Sequence, residues 1–464
     1  MTSITPPARA WLPRVARARA NYPETCRMEE TRSEEITRDA SAVLMEKDNR
    51  PIVIENPDLV AVVKVEDYTP ENVKNGLTRL LDLLKPSFLA GSLEGKSVFL
   101  KVNALAPKAL ACTSTAVTGE LSKILQDKGC KKVLVGDSNF NKALTAVTLK
   151  TMGFSAIAER LGNPVVNFFD HAWVPVSHAS FQAGPITSIP EPVAKADIVI
   201  NLPRMKTHAG FVFTGAIKNF FGLNAHKNRM HVTNKDKVRF QQMLGDIHQA
   251  VLVSAPGSET KPVLHVMDGI VGMDGKGPAG GKERAFKVLI GSFSPVAVDV
   301  VAFTLMGGNP LELEAIQSLG KRNGWPATID ALRIVGDDWR PLVQKASLPP
   351  LSVLRSGAQG EANASGFMQW ATQVVIRVNQ RRCKKCLACV KHCPVQAISK
   401  QGDKIVLDET KCISCFCCGE CCPNNALVPR IRLTELVMQK VLPASLVITA
   451  IVIFLVILAR FPYT

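Results

Sequence analysis

The sequence lacks the patterns that would assign it to several common classes of protein. It has no basic start followed by an apolar run, which a secretory signal requires, so we expect a reducing compartment in which crowded cysteines bind metal rather than form disulfides. It contains neither H-E-x-x-H nor G-x-S-x-G, so zinc-protease and serine-hydrolase chemistry are not expected. The glycine-rich stretch 272–281 fits neither a Walker loop nor a dinucleotide-binding motif, and we interpret it as a surface turn or a lid.

Acidic residues are fewer than basic ones, with 40 Asp+Glu against 56 Lys+Arg and a net charge of +16. Neither aromatic interleaving nor a recognition-helix pattern accompanies the basic residues, so we expect no nucleic-acid partner. The 464 residues are enough for about three domains. Residues 1–55 form a basic N-terminal segment that we expect to be disordered, and Pro6, Pro7 and Pro13 interrupt any amphipathic helix in it. A targeting role for residues 1–27 stays open.

Charged residues are also missing from the run 441–459 near the C-terminus. A helix of these 19 residues would span about 28 Å, close to the roughly 30 Å of a bilayer's hydrocarbon core. A buried core helix is the alternative, although such helices usually contain shorter apolar runs. Arg430, Arg432 and Lys440 precede the run and only Arg460 follows it, which by the positive-inside rule places the bulk of the chain in the cytoplasm. The sequence thus predicts a single-pass C-terminal transmembrane helix over 441–459 and a membrane localisation.

Cysteine, by contrast, is concentrated in one region, because 10 of the 13 cysteines lie between Cys383 and Cys422. Two C-x2-C-x2-C-x3-C runs, each followed by proline, are formed by Cys383, Cys386, Cys389 and Cys393, and by Cys412, Cys415, Cys418 and Cys422. Three thiolates on one tight loop can bind three irons of a cluster, and the fourth iron needs a cysteine from elsewhere. Two zinc sites are the alternative, but structural zinc sites usually pair two C-x2-C knuckles. The spacing therefore favours iron.

The double run resembles that of the bacterial ferredoxins, which hold two 4Fe–4S clusters, and the resemblance covers residues 376–430. In that family the fourth cysteine of each run binds the other cluster. The resemblance implies one cluster on Cys383, Cys386, Cys389 and Cys422, and a second on Cys412, Cys415, Cys418 and Cys393. A hairpin of 397–398 with 404–408 suits the small α+β fold of such domains, βαββαβ. The surplus cysteines, Cys417 and Cys421, are either sulfur donors that tune a cluster or small buried side chains.

Residues 56–340 alternate apolar strands with segments of helical periodicity, which is typical of an α/β domain with a mostly parallel sheet. The predicted strands are 60–65, 97–102, 132–135, 198–200, 263–266, 287–290 and 332–335, and the predicted helices are 70–84, 114–127, 143–161, 236–253 and 296–306. Polar residues stand where the strands end, among them Lys101, Asn103, Asp137, Asn201 and Asp268. Because ligands bind outside the carboxyl ends of parallel strands, these positions predict a site. A Gly-, Ala- and Ser-rich linker, 341–375, separates this domain from the cysteine-rich one.

The 31 residues 201–231 contain no acid. They include Lys206, His208, Lys218, His226, Lys227, Arg229 and His231. Such a segment attracts carboxylate or phosphate groups unless Asp137, Asp246 or Asp268 folds against it. It predicts a pocket for an anionic small molecule or a metal ligand, with four candidate catalytic residues: Lys206, His208, Lys218 and Asn219.

Several short motifs recur through the large domain. They are Lys101-Val-Asn103, Gly136-Asp137-Ser138, LPRMKTH at 202–208, TGAIKNFFG at 214–222, Asp268-Gly269, Gly277-Pro278 and Ala297-Val298-Asp299. As a series they resemble the domain of unknown function 362 family, whose members often carry a ferredoxin-type domain. The resemblance implies a fold and a pocket, and it implies no substrate.

These features together predict a membrane-anchored iron–sulfur protein. Its two 4Fe–4S clusters would pass single electrons to or from a redox partner that the sequence does not identify, coupled to an α/β domain that binds an anionic substrate or partner. Two alternatives stay open. One is a scaffold or assembly protein with structural clusters, and the other is a non-redox enzyme that uses Lys206 and His208 as acid–base groups.

Overall fold

The computed structural model of the protein describes residues 45–46, 51–224, 227, 237–255, 259–351, 354, 374–413 and 415–432. All of them belong to one compact unit, Met45–Thr464. The predicted N-terminal segment up to residue 44, most of the predicted linker and the predicted transmembrane helix lie outside the described residues.

The large domain alternates strands and helices as the sequence pattern predicts. Its strands are β1 Met45–Glu46, β2 Leu59–Lys64, β3 Ser97–Val102, β4 Lys132–Asp137, β5 Val165–Asn167, β6 Trp173–Ser177, β7 Ile186–Pro190, β8 Ile198–Leu202, β9 Arg204–His208, β10 Val212–Thr214, β11 Val263–Asp274, β12 Lys282–Arg284, β13 Val288–Ser292 and β14 Arg333–Gly336. Its helices are α1 Pro70–Leu84, α2 Thr115–Asp127, α3 Lys142–Thr151, α4 Phe154–Arg160, α5 Glu191–Lys195, α6 Ala216–Asn219, α7 Lys237–Leu252, α8 Pro295–Leu305 and α9 Glu314–Asn323.

One sheet carries most of these strands, in the order β14, β2, β13, β11, β8, β3, β4, β5. Neighbours along it are parallel except at β13, which runs antiparallel to β2 and β11. Central strands such as β8 are buried along their whole length, because α1, α2 and α4 cover one face of the sheet and α7, α8 and α9 cover the other. The predicted α/β domain with a mostly parallel sheet is thereby confirmed.

Two additions to the sheet matter for the site. Strands β9 and β10 form a hairpin, in which His208 pairs with Val212, and β9 also lies parallel to β11.

The predicted helix 143–161 is interrupted, because Gly153 adopts a left-handed conformation at φ 83° and separates α3 from α4. Strands β1, β6 and β7 form a separate small sheet.

The cysteine-rich domain has the element order βαββαβ. Its elements are β15 Val374–Val378, α10 Ala388–Lys391, β16 Ile398–Gln401, β17 Lys404–Leu407, α11 Cys417–Glu420 and β18 Leu427–Ile431. Strands β16 and β17 form the predicted hairpin, and β15 pairs antiparallel with β18. The domain contacts the large one directly: Lys108 Nζ donates to Asn425 Oδ1 at 2.5 Å, and the Asn141 amide nitrogen lies 2.6 Å from His392 Nε2.

The predicted fold class is wrong in one respect, the C-terminal transmembrane helix. Within the described ranges no helix is long and apolar enough to cross a membrane. The longest, α7 with 16 residues and α1 with 15, extend about 24 Å or less, and both carry charged residues. The run 441–459 itself lies outside the described residues. The single-pass anchor and the membrane localisation that were predicted from this run are therefore withdrawn.

Candidate functional site

The predicted strand-end residues meet at one edge of the sheet. Lys101 in β3 and Asp137 at the end of β4 form a buried ion pair, with Nζ 2.7 Å from Oδ1. Burial lowers the pKa of Lys101, and the carboxylate of Asp137 opposes this effect. Gly222 lies against the pair, since a Cβ at this position would be 2.4 Å from Asp137 Oδ1. The close approach explains why glycine stands at this position.

Of the three acids that could neutralise segment 201–231, two are paired outside it, and Asp268 is paired with Arg204 of the segment itself. Asp137 pairs with Lys101, as described, while Asp268 Oδ2 accepts from Arg204 Nη1 at 2.7 Å. Asp246 Oδ1 accepts from Arg322 Nη1, also at 2.7 Å. Asp268 therefore offsets the charge of Arg204, whereas none of the three acids forms an ion pair with Lys206, Lys218 or Lys227 among the described residues.

Lys206 in β9 is fully buried, and its Nζ donates to Asn103 Oδ1 at 2.5 Å and to Ala111 O at 2.8 Å. Burial is the main reason why the pKa of Lys206 is lowered to about 7. The charge of Cys112 opposes this shift, and the charge of Lys218 contributes to it. An amine with this pKa is neutral in about half of the molecules at pH 7. Lys206 can therefore act as a base or a nucleophile at neutral pH.

His208, at the end of β9, connects the two domains. Its Nε2 lies 2.9 Å from Oε1 of Glu420 in α11, and its Nδ1 accepts from the Gly210 backbone N–H at 3.0 Å. The ring proton is therefore on Nε2 and is donated to Glu420. Burial, and after it the charge of Lys218, lower the pKa of His208 to about 4, so the ring is neutral at pH 7.

The helix α6 contributes the other two predicted residues. Lys218 Nζ lies over the rings of Phe211 and Phe221, at 5.1 and 5.5 Å from their centroids, and the residue is only partly buried. Burial lowers the pKa of Lys218, opposed by the carboxylate of Glu420. Asn219 is buried, and its Oδ1 accepts from Asn103 Nδ2 at 2.9 Å. Asn219 thus holds a neighbour of Lys206 in place.

Lys227 supplies a further buried cation. Its Nζ donates to the backbone oxygens of Ser138 and Asn139 at 2.6 and 2.7 Å, and to the Ser138 hydroxyl at 2.6 Å. Burial lowers the pKa of Lys227 to about 7, opposed by the charge of Asp137. The predicted residues His226, Arg229 and His231 lie outside the described residues.

These side chains line one cavity of about 50 Å³ between the strand ends and the cysteine-rich domain. Its lining includes Asn103, Ser138, Lys206, His208, Thr214, Lys218, Asn219, Lys227, Pro278 and Glu420. The structure thus brings the four predicted catalytic residues together, and their roles stay predictions. Among the atoms that the structure describes, the buried hydroxyl of Thr214 has no hydrogen-bond partner. A cavity of this volume admits on the order of four waters or a small ligand.

The cluster cysteines divide into two groups by proximity. Cys383, Cys386, Cys389 and Cys422 line one cavity, and burial followed by the charges of the other three raises the pKa of Cys389 to about 11. Burial is also the main reason why the pKa of Cys418 is raised. The charges of four neighbours raise it further: Cys415, Cys421, Cys412 and Cys393. Cys422 therefore lies with the first run and Cys393 with the second, which is the crossed arrangement implied by the ferredoxin resemblance.

The backbone around these cysteines suits thiolate ligands. N–H groups point at three sulfurs: Lys385 N lies 3.4 Å from Cys383 Sγ, Ala397 N lies 3.1 Å from Cys393 Sγ and Ala426 N lies 3.3 Å from Cys422 Sγ. Such bonds favour the charged form of a sulfur. The two halves also repeat one conformation, since Leu387 and Phe416 both have positive φ, at 61° and 67°, one residue after a cysteine. The residues present therefore fit iron–sulfur ligation.

The donor arrangement is unlike that of a single-ion site. In the part of the chain that the structure describes, no three His, Cys, Asp or Glu side chains converge on one point where they could hold a metal ion. Cluster ligands differ in this respect, because each iron of a cluster takes its own cysteine. The surplus Cys417 and Cys421 are both buried, and Cys421 Sγ lies 3.4 Å from Cys418 O.

Comparison with protein families confirms the DUF362 resemblance and a 4Fe–4S binding domain around the first cysteine run. The model of the domain of unknown function family DUF362 matches residues 98–304, and that of the 4Fe-4S binding domain matches residues 376–399. The chain therefore contains a region that matches the DUF362 family and, C-terminal to it, a 4Fe–4S binding domain.

Known proteins and structures resemble parts of the chain. A thylakoid-associated protein of Synechocystis sp. is 29% identical over 231 residues, which are 49% of this chain and 63% of that protein. Two solved structures share 12% identity at a TM-score of 0.32: a Thermotoga maritima protein, over 56% of this chain and 60% of that one, and the lactate racemase apoprotein of Thermoanaerobacterium thermosaccharolyticum, over 54% and 58%. The chain thus spans less than two thirds of each of these proteins.

Sequence reasoning missed two parts of the site. Glu420 stands between two cluster cysteines, and its contact with His208 depends on domain docking, which no spacing signals. The buried pair His248 and His265 lies beneath the strand ends, with the two Nε2 atoms 3.3 Å apart. The sequence signal that could have indicated this pair is that each histidine lies in or beside an apolar run.

Proposed function

We propose that the protein is an iron–sulfur oxidoreductase in which two 4Fe–4S clusters supply single electrons to a small anionic substrate bound in the cavity at the strand ends. The observation that carries this proposal is the hydrogen bond between Glu420 and His208. Glu420 stands two residues from Cys418 and two from Cys422, so the segment that would bind the clusters also forms part of the cavity wall. An external redox partner would exchange electrons with the cysteine-rich domain.

The count of two clusters is supported by the two groups of cysteines. The first would be held by Cys383, Cys386, Cys389 and Cys422, and the second by Cys412, Cys415, Cys418 and Cys393. Each group combines three cysteines of one run with the last cysteine of the other. A short distance between two clusters suits a relay of single electrons.

The choice of an anionic substrate rests on the charges around the cavity. Lys206, Lys218 and Lys227 line it, and the lining carboxylates are Asp137 and Glu420. Asp137 is already paired with Lys101, and Glu420 accepts from His208. The charge of Lys218 and the charged fractions of Lys206 and Lys227 would attract a carboxylate or phosphate group, although Glu420 keeps its negative charge because His208 is neutral.

The full-length protein, purified under argon, tests this proposal. We expect about eight irons per chain and two interacting signals in the electron paramagnetic resonance spectrum of the reduced protein. Reoxidation of the reduced protein is then followed after adding fumarate, pyruvate or glyoxylate. At least one of these should accelerate it, and Glu420→Ala should slow that reaction about tenfold or more, equivalent to ~1.4 kcal/mol, with unchanged iron content. Clusters that resist reduction would contradict electron transfer and favour the scaffold alternative.

A non-redox enzyme is a second candidate, and the properties of Lys206 favour it. A buried amine with a pKa of about 7 is well suited to general acid–base catalysis at neutral pH. In that case turnover is equal with oxidised and reduced clusters, and Lys206→Met abolishes it without altering the cluster spectrum. An oxidoreductase requires instead that turnover depends on the oxidation state.

A further inference from the structure

The amine of Lys206 is held in one orientation. Two of its three non-carbon positions are occupied by hydrogen bonds to Asn103 Oδ1 and Ala111 O, at 2.5 and 2.8 Å. Lys206 also lines the cavity at the strand ends, and its third position makes no hydrogen bond to another described atom. In the neutral amine this third position is a lone pair, and the side chain then presents a nucleophile to whatever the cavity holds.

A chain of buried amides fixes the oxygen of Asn103 toward Lys206. Asn103 Nδ2 donates to Asn219 Oδ1 at 2.9 Å, and Asn219 Nδ2 donates to Asn201 Oδ1 at 2.7 Å. Each amide uses its oxygen on one side and its nitrogen on the other, so reversing one would place two donors or two acceptors in contact. Lys206 is therefore held by a neutral acceptor and not by a carboxylate that would stabilise its charge.

Two buried histidines set the direction of this chain. Asn201 Nδ2 lies 2.9 Å from His265 Nδ1 and also donates to Ala216 O, so it acts as the donor to the ring. The proton of His265 is then on Nε2, which points to His248 Nε2 at 3.3 Å. Burial lowers the pKa of both rings, that of His248 to about 3, so neither becomes a cation that would reverse the chain.

We propose that Lys206 forms an imine with the carbonyl group of a small 2-oxo carboxylate bound in this cavity. The inference rests on the proposed function only for the anion-binding role of the cavity, and it does not depend on electron transfer. It names both the substrate class and the residue that captures it.

The cavity recognises both halves of such a ligand. Lys218 lines the cavity and can pair with the carboxylate, and the buried Thr214 hydroxyl, which has no partner among the described atoms, can donate to it. The carbonyl carbon, one bond away, would then lie toward Lys206, whose amine feels the charge of Lys218. The volume of about 50 Å³ limits the ligand to a few heavy atoms.

The chemistry balances without a further reagent. The lone pair on Lys206 Nζ attacks the carbonyl carbon, and the carbonyl oxygen takes up a proton to give a carbinolamine. Loss of the oxygen as water forms the C=N bond, with the two amine hydrogens leaving as the two hydrogens of that water. One amine and one carbonyl give one imine and one water, so nothing is oxidised or reduced. The Lys218 ammonium, made more acidic by burial, can supply the proton in transit.

Several charged or titratable groups lie around Lys206 on the surrounding elements. They are the cations Arg204 and Lys218, the carboxylate Glu420, the thiol Cys112 and the neutral ring of His208. Asn103 and Ala111, the groups hydrogen-bonded to the amine, do not titrate. The pH dependence of capture should therefore follow the amine itself.

Trapping with pyruvate tests the proposal. The oxidised full-length protein is incubated with pyruvate and cyanoborohydride between pH 6 and 10, and the labelled lysines are located by peptide mass spectrometry. We expect a carboxyethyl group on Lys206, half-maximal near pH 7. At pH 7 its labelling rate should exceed that of surface lysines by up to about 10³-fold, the ratio of their neutral fractions.

The chain contains an internal control in the buried Lys261, whose charge also interacts with the carboxylate of Asp197. Its Nζ also has two neutral acceptors, Val193 O at 2.9 Å and Ala194 O at 2.7 Å, but it is not part of the cavity lining. Lys261 should remain unlabelled. No label on Lys206, or equal labelling of Lys206 and Lys261, would overturn the proposal whatever the variants show.

A variant separates amine chemistry from simple binding. Asn103→Asp places a carboxylate against Nζ, which should hold the amine charged, lower labelling at pH 7 at least about tenfold and allow recovery above pH 9. Asn72→Asp, near the surface on α1, should label like the wild type. Labelling of Asn103→Asp that equals the wild type at pH 7 would contradict the proposed role of the neutral acceptor. Because the protein stays oxidised throughout, failure here leaves electron transfer untouched.

Discussion

Glu420 of the cysteine-rich domain accepts a hydrogen bond from His208 of the large domain across 2.9 Å, although the two residues are 212 positions apart in the sequence. His208 is buried and neutral, and its other ring nitrogen is occupied by the Gly210 N–H. Removing the Glu420 carboxylate would therefore deprive the buried His208 N–H of its acceptor. The carboxylate of Glu420 thus contributes both to the domain interface and to the lining of the cavity.

Removing this acceptor should destabilise the protein. We expect Glu420→Ala to lower the free energy of unfolding by about 1–3 kcal/mol, because the His208 N–H loses its partner in a buried position. Glu420→Gln keeps an acceptor oxygen and should lose less. The comparison is made by urea denaturation. Asp403→Ala, which breaks an exposed ion pair with Lys385 in the same domain, serves as the control and should change stability by less than ~1 kcal/mol.

Lys206 should make stability rise with pH above neutrality. Its pKa is about 7 in the folded protein and about 10.4 in an unfolded chain, so between these values the unfolded state binds a proton that the folded state has released. The free energy of unfolding should then increase by up to ~1.4 kcal/mol per pH unit in this window, and this increment should be missing in Lys206→Met.

Urea titrations at pH 7.5 and 9.5 measure this difference. Lys227, whose pKa is also lowered to about 7, is present in both proteins, so its contribution cancels in the comparison. Equal pH dependence in the wild type and Lys206→Met would show that the Lys206 amine keeps its ordinary pKa.

Asn219 is expected to act by positioning its neighbours. Asn219→Leu has a similar volume but removes the acceptor of Asn103 Nδ2 and the donor to Asn201 Oδ1. We expect a loss of about 1–3 kcal/mol for each buried partner left unpaired, and a changed pH dependence of pyruvate labelling at Lys206. Asn72→Leu is the control, because the Asn72 amide donates to Asp67 near the surface. If both variants unfold at the same urea concentration, the buried chain contributes no stability.

The crossed arrangement of cysteines makes a prediction that the sequence order alone does not. Cys422→Ser should lose the same paramagnetic signal as Cys383→Ser, although Cys422 belongs to the second run. Cys393→Ser should behave like Cys412→Ser. Each variant should retain about four of about eight irons per chain, whereas Cys421→Ser should retain all of them. Loss of the same signal in Cys422→Ser and Cys412→Ser would show that each run binds its own cluster.

Sequence reasoning located most of the large domain because its signals are local. The apolar strands end at Lys101, Asp137 and Asn201, and the parallel sheet brings those ends together as predicted. The predicted helix 143–161 failed at Gly153, where apolar periodicity continues while the backbone turns to positive φ. The hairpin of β9 and β10 was missed because its residues carry the polar groups of the site, so they lack the alternation of an ordinary strand.

The part of the candidate site that was predicted is the part that belongs to the large domain. Lys206, His208, Lys218 and Asn219 stand close together in the sequence, and their shared lack of acidic neighbours marked them. The contact with Glu420 and the chain through His265 depend on tertiary packing between segments far apart. Such partners become visible only when the elements are placed relative to one another.

The position of Glu420 has a consequence for the order in which the molecule matures. A short loop of cysteines has little apolar material of its own, and domains of this kind gain much of their folding energy when metal is bound. The segment that carries Glu420 would then take its final shape after iron insertion, and the last wall of the cavity would close at that moment. A newly made chain would hold its lysines in place before it could enclose a ligand, so iron supply would determine when the pocket first becomes competent.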